Sequence, residues 1–585
     1  MIEEVLTCCL FCAVLLPGAL STCAGGKYRT FDGSCNNLIH PSWGKAETAQ
    51  RRFNDNEGFM VDFFDGDDIP RGGIPSTLPS PRAITNLLSD ESLGPKNQFD
   101  KLRSAQSFAQ GQIVAHDLVS TKFHSDVDCC DPDTPESSDI NVCFPFTIPA
   151  NDNKFPPRSC KNFIRAVRAS DTEASSHREQ INMATSYLDA SFLYGSSETQ
   201  NNKLRGRNGF LLRTDDGNLP TKPAAFADPC VKTVQIDRCP FAGDSMVSEA
   251  PNLHVNHLVW VREHNRIARF LYKLNKNWNN EKIFQETRKI IIAMWQHIIY
   301  NEHLPNVVGK KTMKQFGLLS TNSGFNDVYS SSIDASIRNG FAVGAYRFGH
   351  SQVVKEQSLL ADDYTTLTVN KLEENFFNPH ILQTNNGSNI EDLARWLTYT
   401  PSMKVDIFLV DSLRSKLFKN IGQAGEDLMS RNIQRGRDQG IPGYNRWRQF
   451  CGLNKFVNFK QFGDAGTKLQ QLYNDVDDVD LMVGGLLEDS NDGVVGKTFS
   501  CIIGQQFQLL KTGDRFWYER GGQDFSFTEE QLNSIKAGSL LSRVFCRNFN
   551  LSKIQRDIFT PGQESTLTDC GNLPEIDLNL WKEQN

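Results

Sequence analysis

Residues 111–118, with the sequence GQIVAHDL, decide our interpretation of the whole chain. We predict that they lie near the middle of a helix from Gln98 to Phe123. On a helix, Gln112 and His116 are four residues apart and share a face, whereas Asp117 lies about 100° around from His116. One short segment can therefore direct an imidazole into a pocket and a carboxylate away from it. Taken alone, such a histidine is more often a core residue, so its function depends on partners elsewhere in the chain.

Length and charge limit the classes of protein that the chain could represent. A length of 585 residues would by itself suggest several domains, but no Gly/Ser or Pro-rich linker, low-complexity tract or internal repeat divides the sequence. We therefore predict one large domain over residues 23–585. The formal charge of −7 and the pI near 5.9 argue against a nucleic-acid partner, because polyanion binding usually appears as a basic excess.

The first 22 residues are predicted to form a secretory signal peptide. The apolar run from Val5 to Leu20 ends in PGALS and is too short to span a membrane comfortably. Of the 15 cysteines, twelve remain if cleavage falls before Cys23, and an even number fits an oxidising compartment. We therefore predict a secreted, soluble protein without a membrane span, with candidate glycosylation sites at Asn386 and Asn550.

Helical periodicity dominates the second half of the chain, after a Pro- and Cys-rich region at residues 129–160 that is predicted to be stapled by disulfides. Strand-like alternation is sparse, so we predict a mainly α fold with little β structure. The predicted helices are 252–274, 281–299, 391–397, 406–418, 425–438 and 529–545.

A second group of functional side chains lies in TSYLDAS, residues 185–191. Thr185, Asp189 and Ser191 offer side-chain oxygens, and Tyr187 can add its backbone carbonyl. Calcium binds six to eight oxygens, and Asp117 on the first helix could supply a further carboxylate. The alternative is a turn that satisfies its own hydrogen bonds, which is the commoner case for such a stretch taken alone.

With these two motifs, the chain resembles the animal haem peroxidase superfamily, which includes myeloperoxidase, lactoperoxidase and peroxidasin. The resemblance covers nearly the whole predicted mature chain, and the order of the motifs is more specific than any one of them. The further matching segments are KYRTFDGSCNNLIHPSWG (27–44), AGDSMVSEAPNLHVNHLVWVREHNRIA (242–268), AYRFGHSQ (345–352), NIQRGRDQGIPGYNRWRQFCGL (432–453) and CIIGQQF (501–507).

The resemblance assigns roles to residues on both sides of a haem. It implies that His116 is the distal histidine, with Gln112 beside it, and a neutral imidazole there can accept the proton of a bound peroxide and return it to the departing oxygen. It implies that His350 is the proximal ligand of the haem iron and that Asn432 accepts the N–H of its ring, which fixes tautomer and orientation.

Further roles follow from the same resemblance. Arg347 and Arg435 match residues that pair with the haem propionates. The remaining implied residues are the calcium ligands Asp117, Thr185, Tyr187, Asp189 and Ser191. The resemblance also implies the disulfide pairs Cys23–Cys35, Cys129–Cys143, Cys130–Cys160, Cys230–Cys239, Cys451–Cys501 and Cys546–Cys570.

Two positions that matter for the chemistry depart from the family pattern. Ala115 stands where an aspartate normally forms an ester with the haem, so at most one ester link is expected, through Glu249. Met246 stands at the position of the distal arginine, which stabilises negative charge on the peroxide as its O–O bond breaks. A thioether cannot replace that donor. Arg238 and Arg262 are nearby in sequence but do not fall on the motif.

Two classes of function therefore remain open. The first is a secreted haem peroxidase with bound calcium that uses hydrogen peroxide to oxidise halides, phenols or protein tyrosines, and that is slow because of Met246. The second is a catalytically impaired relative that serves as an adhesion or extracellular-matrix protein. No RGD or KGD tripeptide is present for integrin binding, which weakens the second class.

Overall fold

The structure is a computed structural model that describes residues 23–583, except 24, 56–57, 63–68, 96–97, 125–126, 170–177, 216, 224–229, 232–238, 385–386 and 422–424. The predicted signal peptide, Arg238 and the sequon at Asn386 lie outside the described residues, whereas Asn550 is exposed.

Helices dominate the described part of the chain, which confirms the predicted mainly α class. Their bounds are α1 Pro81–Leu88, α2 Gln106–Leu118, α3 Ser191–Tyr194, α4 Glu198–Leu204, α5 Pro251–Leu274, α6 Asn280–Ile298, α7 Leu304–Gln315, α8 His380–Gln383, α9 Asn389–Tyr399, α10 Asp411–Arg414, α11 Leu428–Asp438, α12 Tyr444–Phe450, α13 Gly466–Leu472, α14 Leu481–Leu486, α15 Lys497–Thr512, α16 Glu529–Gly538 and α17 Leu541–Asn548.

Short antiparallel strand pairs connect these helices, and the pairs among the described residues are β1–β7, β2–β3, β4–β10, β5–β6, β8–β9 and β11–β12. Their bounds are β1 Thr48–Ala49, β2 Asn54–Asp55, β3 Gly58–Phe59, β4 Phe99–Ser104, β5 Phe146–Thr147, β6 Cys160–Lys161, β7 Ile181–Asn182, β8 Glu356–Leu360, β9 Thr366–Lys371, β10 Pro401–Met403, β11 Lys553–Gln555 and β12 Leu567–Asp569.

The two longest helices begin with local signals that the sequence contains. Helix α5 starts at Pro251, whose missing N–H costs nothing in the first turn of a helix. Helix α6 is capped by Asn279, whose side chain accepts the backbone N–H of Lys282. Both helices bury apolar side chains in one continuous core, in which Trp260 of α5 packs edge-on against Trp295 of α6. The predictions 252–274 and 281–299 are therefore confirmed to within one residue at each end.

The predicted first helix is too long at both ends. Residues Phe99–Ser104 form β4, which pairs with β10, and α2 begins only after that pairing ends. Beyond Leu118 the backbone of Val119 is extended, and the N–H of Ser120 donates to the side chain of Asn182. Pairing with distant segments therefore replaces helical hydrogen bonds that the local sequence would allow.

Two other predicted helices are also corrected. Residues 406–418 are helical only over α10, because the N–H of Leu409 donates to the carbonyl of Ser89 and holds the preceding segment extended. Residues 529–545 form two helices, α16 and α17, because the backbone leaves the helical conformation at Ser539 and Leu540. Helices α9 and α11 confirm the predictions at 391–397 and 425–438 with shifted ends.

All six implied disulfide pairs are present, including the two that staple residues 129–160. Among the described residues, no helix is both long enough and apolar enough to cross a membrane. The core then positions the candidate site, since α2 packs against α5 and against the 3₁₀ helix Ala345–Gln352.

Candidate functional site

A cavity of about 200 Å³ lies where α2 meets the 3₁₀ helix Ala345–Gln352. His116 lines it from α2, and His350 lines it from the 3₁₀ helix. Apolar side chains such as Phe108 and Phe376 make up much of the remaining wall. The structure therefore brings together two imidazoles that are far apart in the sequence.

On the α2 side, Gln112 is fixed between two partners. Its amide nitrogen donates to Glu249 Oε2 at 3.2 Å, and its amide oxygen accepts from Asn252 Nδ2 at 2.9 Å. The same oxygen of Glu249 lies 4.0 Å from His116 Nε2. Burial is the main cause that raises the pKa of Glu249. Gln112, His116 and Glu249 thus form one polar group on the wall of the cavity.

On the other side, His350 has a partner on α11. The side-chain amide of Asn432 lies 2.7 Å from His350 Nδ1, and a half-turn of that amide exchanges its nitrogen and oxygen. Burial, followed by the positive charge of Arg347, lowers the pKa of His350 to about 3. The His350 imidazole is therefore neutral at ordinary pH, which is the form that ligates iron.

The two predicted propionate arginines occupy different environments. Arg347 lines the cavity, and its Nε donates to the carbonyl of Ala342 at 3.2 Å. Arg435 is not among the described lining residues, because its Nη1 donates to Asp438 at 2.8 Å and its guanidinium lies over the ring of Phe163. Only Arg347 is therefore placed in the cavity by the structure.

Met246 also lies outside the described wall of the cavity. Its side chain is half-buried against the core, and its backbone N–H donates to Asp244 Oδ1 at 2.9 Å. Arg262 is remote from the cavity, since it donates to the carbonyls of Gly217 and Asn548. Neither residue replaces the missing distal arginine in this structure.

The closest polar partner of His116 is a residue that no pattern in the sequence identifies. Asp244 Oδ2 lies 2.7 Å from His116 Nδ1, although 128 residues separate them. Burial alone would lower the pKa of His116, but the charge and the hydrogen bond of Asp244 outweigh burial and raise it. Asp244 stands within the quoted motif AGDSMVSE, two residues before Met246, but only the fold shows which side chain it meets.

The predicted separation of His116 from its neighbour Asp117 is observed. The carboxylate of Asp117 is fully buried on another face of α2, where Oδ1 accepts the backbone N–H of Ser191 at 2.5 Å and Oδ2 accepts Trp295 Nε1 at 2.8 Å. Trp295 is a second partner that the sequence did not suggest.

TSYLDAS lies next to that carboxylate. The Thr185 hydroxyl donates to Asp189 Oδ1 at 2.8 Å, and the Ser191 hydroxyl donates to Asp117 Oδ1 at 3.0 Å. The carbonyl of Tyr187 accepts the N–H of Asp189, and its side-chain hydroxyl donates to Trp43. Burial is the main cause that raises the pKa of both Asp117 and Asp189, and their mutual repulsion adds to it for Asp117.

Two buried carboxylates with raised pKa values form a site that a cation would stabilise. Among the described residues, no three His, Cys, Asp or Glu side chains come together to hold a metal ion. This cluster instead combines two carboxylates with hydroxyl and carbonyl oxygens, which is the kind of ligand set that calcium accepts.

Comparison with known proteins agrees with this geometry. The animal haem peroxidase family matches residues 28–559. Human eosinophil peroxidase is 33% identical over 95% of this chain and 80% of its own length, and rat thyroid peroxidase is 32% identical over 97% of this chain and 65% of its own length.

A solved structure shows the same fold. Peroxidase A from Dictyostelium discoideum superposes with a TM-score of 0.76 at 28% identity, covering 91% of this chain and 99% of that one. The family match and the identities together decide the class, and the family implies haem. The chain therefore belongs to the animal haem peroxidase family and is a haem-dependent oxidoreductase that acts on hydrogen peroxide.

Proposed function

We propose that the protein is a secreted peroxidase that uses hydrogen peroxide to oxidise halides, phenols or protein tyrosines, and that it does so slowly. The observation that carries this proposal is the shared cavity of His116 and His350, in which each imidazole has its own hydrogen-bond partner. The slow rate is inferred from Met246, which offers no positive charge to the cavity.

The residues of the cavity fit a haem b. His350 is neutral and would ligate the iron through Nε2, which requires the amide oxygen of Asn432 to accept the Nδ1–H. The bound group would supply the iron that takes up peroxide and the oxidising power passed to the donor. Arg347 and Arg435 would pair with the propionates, and Arg435 would have to leave Asp438 to do so. At most one ester link is proposed, through Glu249, because the other position is Ala115.

On the distal side, the protein itself would move the proton. His116 Nε2 would accept the proton of the bound peroxide and return it to the departing oxygen. Gln112 is held by Asn252 and Glu249, so its amide is oriented before the substrate enters. The apolar wall would exclude bulk water from this transfer.

We also propose that the cluster around Asp117 binds calcium. The proposed ligands are Asp117, Thr185, Tyr187, Asp189 and Ser191. A cation there would offset the repulsion between the two buried carboxylates, which is what raises the pKa of Asp117 beyond the effect of burial. Residues 1–22 are proposed to be a signal peptide that directs the single domain to the extracellular space, where its partners would be hydrogen peroxide and a small or protein-bound donor.

The visible spectrum of the secreted protein, expressed with added haem, tests the proposal. We expect a Soret band, and a shifted spectrum after hydrogen peroxide that returns to the starting form when a phenol is added. Absence of the Soret band would contradict haem binding. A Soret band that peroxide does not change would instead favour the adhesion or matrix-binding alternative.

The substitution Met246→Arg is expected to speed the reaction with peroxide. A guanidinium that reaches the cavity would stabilise charge developing on the peroxide, and donors of this kind contribute about 10²–10³-fold in other enzymes. Stopped-flow absorbance would measure the rate constant, with Met246→Leu as the apolar control of similar size. Equal rates in all three proteins would show that another group already supplies this charge.

A further inference from the structure

Asp244 is fixed by two donors in a place that is closed to most solvent. Its Oδ1 accepts the backbone N–H of Met246 at 2.9 Å, and its Oδ2 lies 2.7 Å from His116 Nδ1. The side chains of Asp244 and His116 are only 11% and 19% exposed. Each carboxylate oxygen therefore has an assigned partner, and the carboxylate cannot turn without losing one of them.

The protonation of Asp244 decides which nitrogen of the neutral His116 ring carries hydrogen. Burial would raise the pKa of Asp244, but its hydrogen bonds with His116 Nδ1 and with the backbone N–H of Met246 favour the ionised form. An ionised carboxylate is an acceptor only, so the neutral imidazole must present Nδ1–H to it. The lone pair of His116 Nε2 then faces the cavity, where Glu249 Oε2 lies 4.0 Å from that nitrogen.

A second imidazole lies near the same carboxylate but is not bonded to it. His257 Nδ1 donates to the carbonyl of Leu253 at 2.7 Å, which leaves the lone pair on its Nε2. That Nε2 lies 3.6 Å from Asp244 Oδ2 and has no hydrogen-bond partner among the described residues. The lone pair of His257 Nε2 does not attract a carboxylate oxygen, so Asp244 forms its hydrogen bond with His116 and not with His257.

We propose that Asp244 is a positioning residue that holds His116 with Nδ1 protonated and with the Nε2 lone pair directed into the cavity. The proposal rests on the proposed function, because it specifies how the distal histidine is prepared to accept the proton of peroxide. Asp244 itself does not touch peroxide or haem, and it acts through the tautomer and orientation of one ring. A carboxylate that orients a catalytic histidine in this way is worth a large factor in rate in other enzymes.

The surroundings of Asp244 determine which substitution tests the proposal. Asp244 and His116 also border a second cavity of about 200 Å³, which is lined by polar side chains such as Ser196 and Gln200. Removal of the carboxylate would let water from that cavity take its place beside the ring. An isosteric replacement is therefore the sharper test.

Asp244→Asn preserves the shape of the side chain and reverses the direction of its hydrogen bond with His116. The amide oxygen must stay with the Met246 N–H, since two donors cannot face each other, so the amide N–H₂ turns towards His116 Nδ1. The ring then accepts at Nδ1 and carries its hydrogen on Nε2, where it can no longer accept a proton. We expect the rate constant with hydrogen peroxide to fall by about 10²–10⁴-fold, with haem content unchanged.

A spectroscopic measurement distinguishes a change in the tautomer of His116 from a general loss of structure. Carbon monoxide bound to the reduced haem reports on the distal ring, because an N–H that donates to the ligand lowers its C–O stretching frequency. We expect a lower frequency in Asp244→Asn than in the wild type, measured by infrared absorption. Ser245→Ala, at the exposed neighbouring position, is the matched control and should leave both the rate and the frequency unchanged.

If Asp244→Asn does not yield folded protein, Asp244→Ala is measured in its place. Water from the second cavity would then allow both tautomers, and two C–O bands are expected instead of one. A variant with wild-type rate and frequency would overturn the proposal, as would a slow variant whose C–O band does not move or split. If the wild type binds haem but does not react with peroxide, the proposed function fails, while the C–O comparison still decides the role of Asp244.

Discussion

His350→Ala is expected to remove the Soret band from protein that has been expressed with added haem. His350 lies on the 3₁₀ helix and places a neutral imidazole on the wall of the cavity. Alanine offers the iron no replacement ligand. Asn432→Ala is expected to be milder, with haem affinity about 10–100-fold weaker, because the ligand remains but its orientation is no longer fixed. Absorbance at the Soret maximum during titration with haem measures both effects.

A buried histidine elsewhere provides the control for this series. His264 on α5 is fully buried and is bonded to Tyr194 and to the carbonyl of Phe210, outside the cavity. His264→Gln should therefore keep the wild-type Soret band, although its stability will fall. Full haem binding by His350→Ala would show that another residue ligates the iron.

Removal of calcium is expected to destabilise the protein more at pH 8 than at pH 5. Without the cation, the folded-state pKa values of Asp117 and Asp189 are raised above those of the unfolded chain, which are near 4. The folded state then binds more protons than the unfolded state, so stability falls as the pH rises above about 4. Calcium bound at the proposed site would take the place of those protons and remove this loss.

Thermal unfolding with calcium and with a chelator, at both pH values, tests this prediction. The difference in the free energy of unfolding at pH 8 should be on the order of a few kcal/mol. Asp189→Ala should abolish the calcium response and lower the yield of secreted protein, whereas substitution of the exposed Asp363 should do neither. Identical melting curves with and without chelator at pH 8 would contradict the calcium site.

Sequence patterns predicted the parts of the fold that local signals govern. Helices α5 and α6 carry their own start signals and a regular apolar periodicity, so their bounds were predicted closely. The start of α2 was missed because β10, about 300 residues further along the chain, pairs with residues 99–104. No local pattern records such a pairing.

The same division applies to the candidate site. His116, His350 and Asn432 are identified because motifs contain them; the structure places His116 and His350 on the wall of one cavity, and Asn432 lies beside His350. Asp244 was missed because nothing near it in the sequence identifies His116 as its partner. Arg435 was assigned to the haem from its motif, whereas its position against Asp438 follows from packing that only the fold shows.

His116 and Asp117 are adjacent on α2 but contribute to two different places in the fold. His116 faces the cavity, and Asp117 faces the cluster that we propose to bind calcium. Because both side chains belong to one turn of the same helix, we expect occupancy of the proposed cation site to be coupled in free energy to the placement of the His116 imidazole. Such coupling is reciprocal, so a ligand that holds His116 in place should tighten cation binding by the same factor.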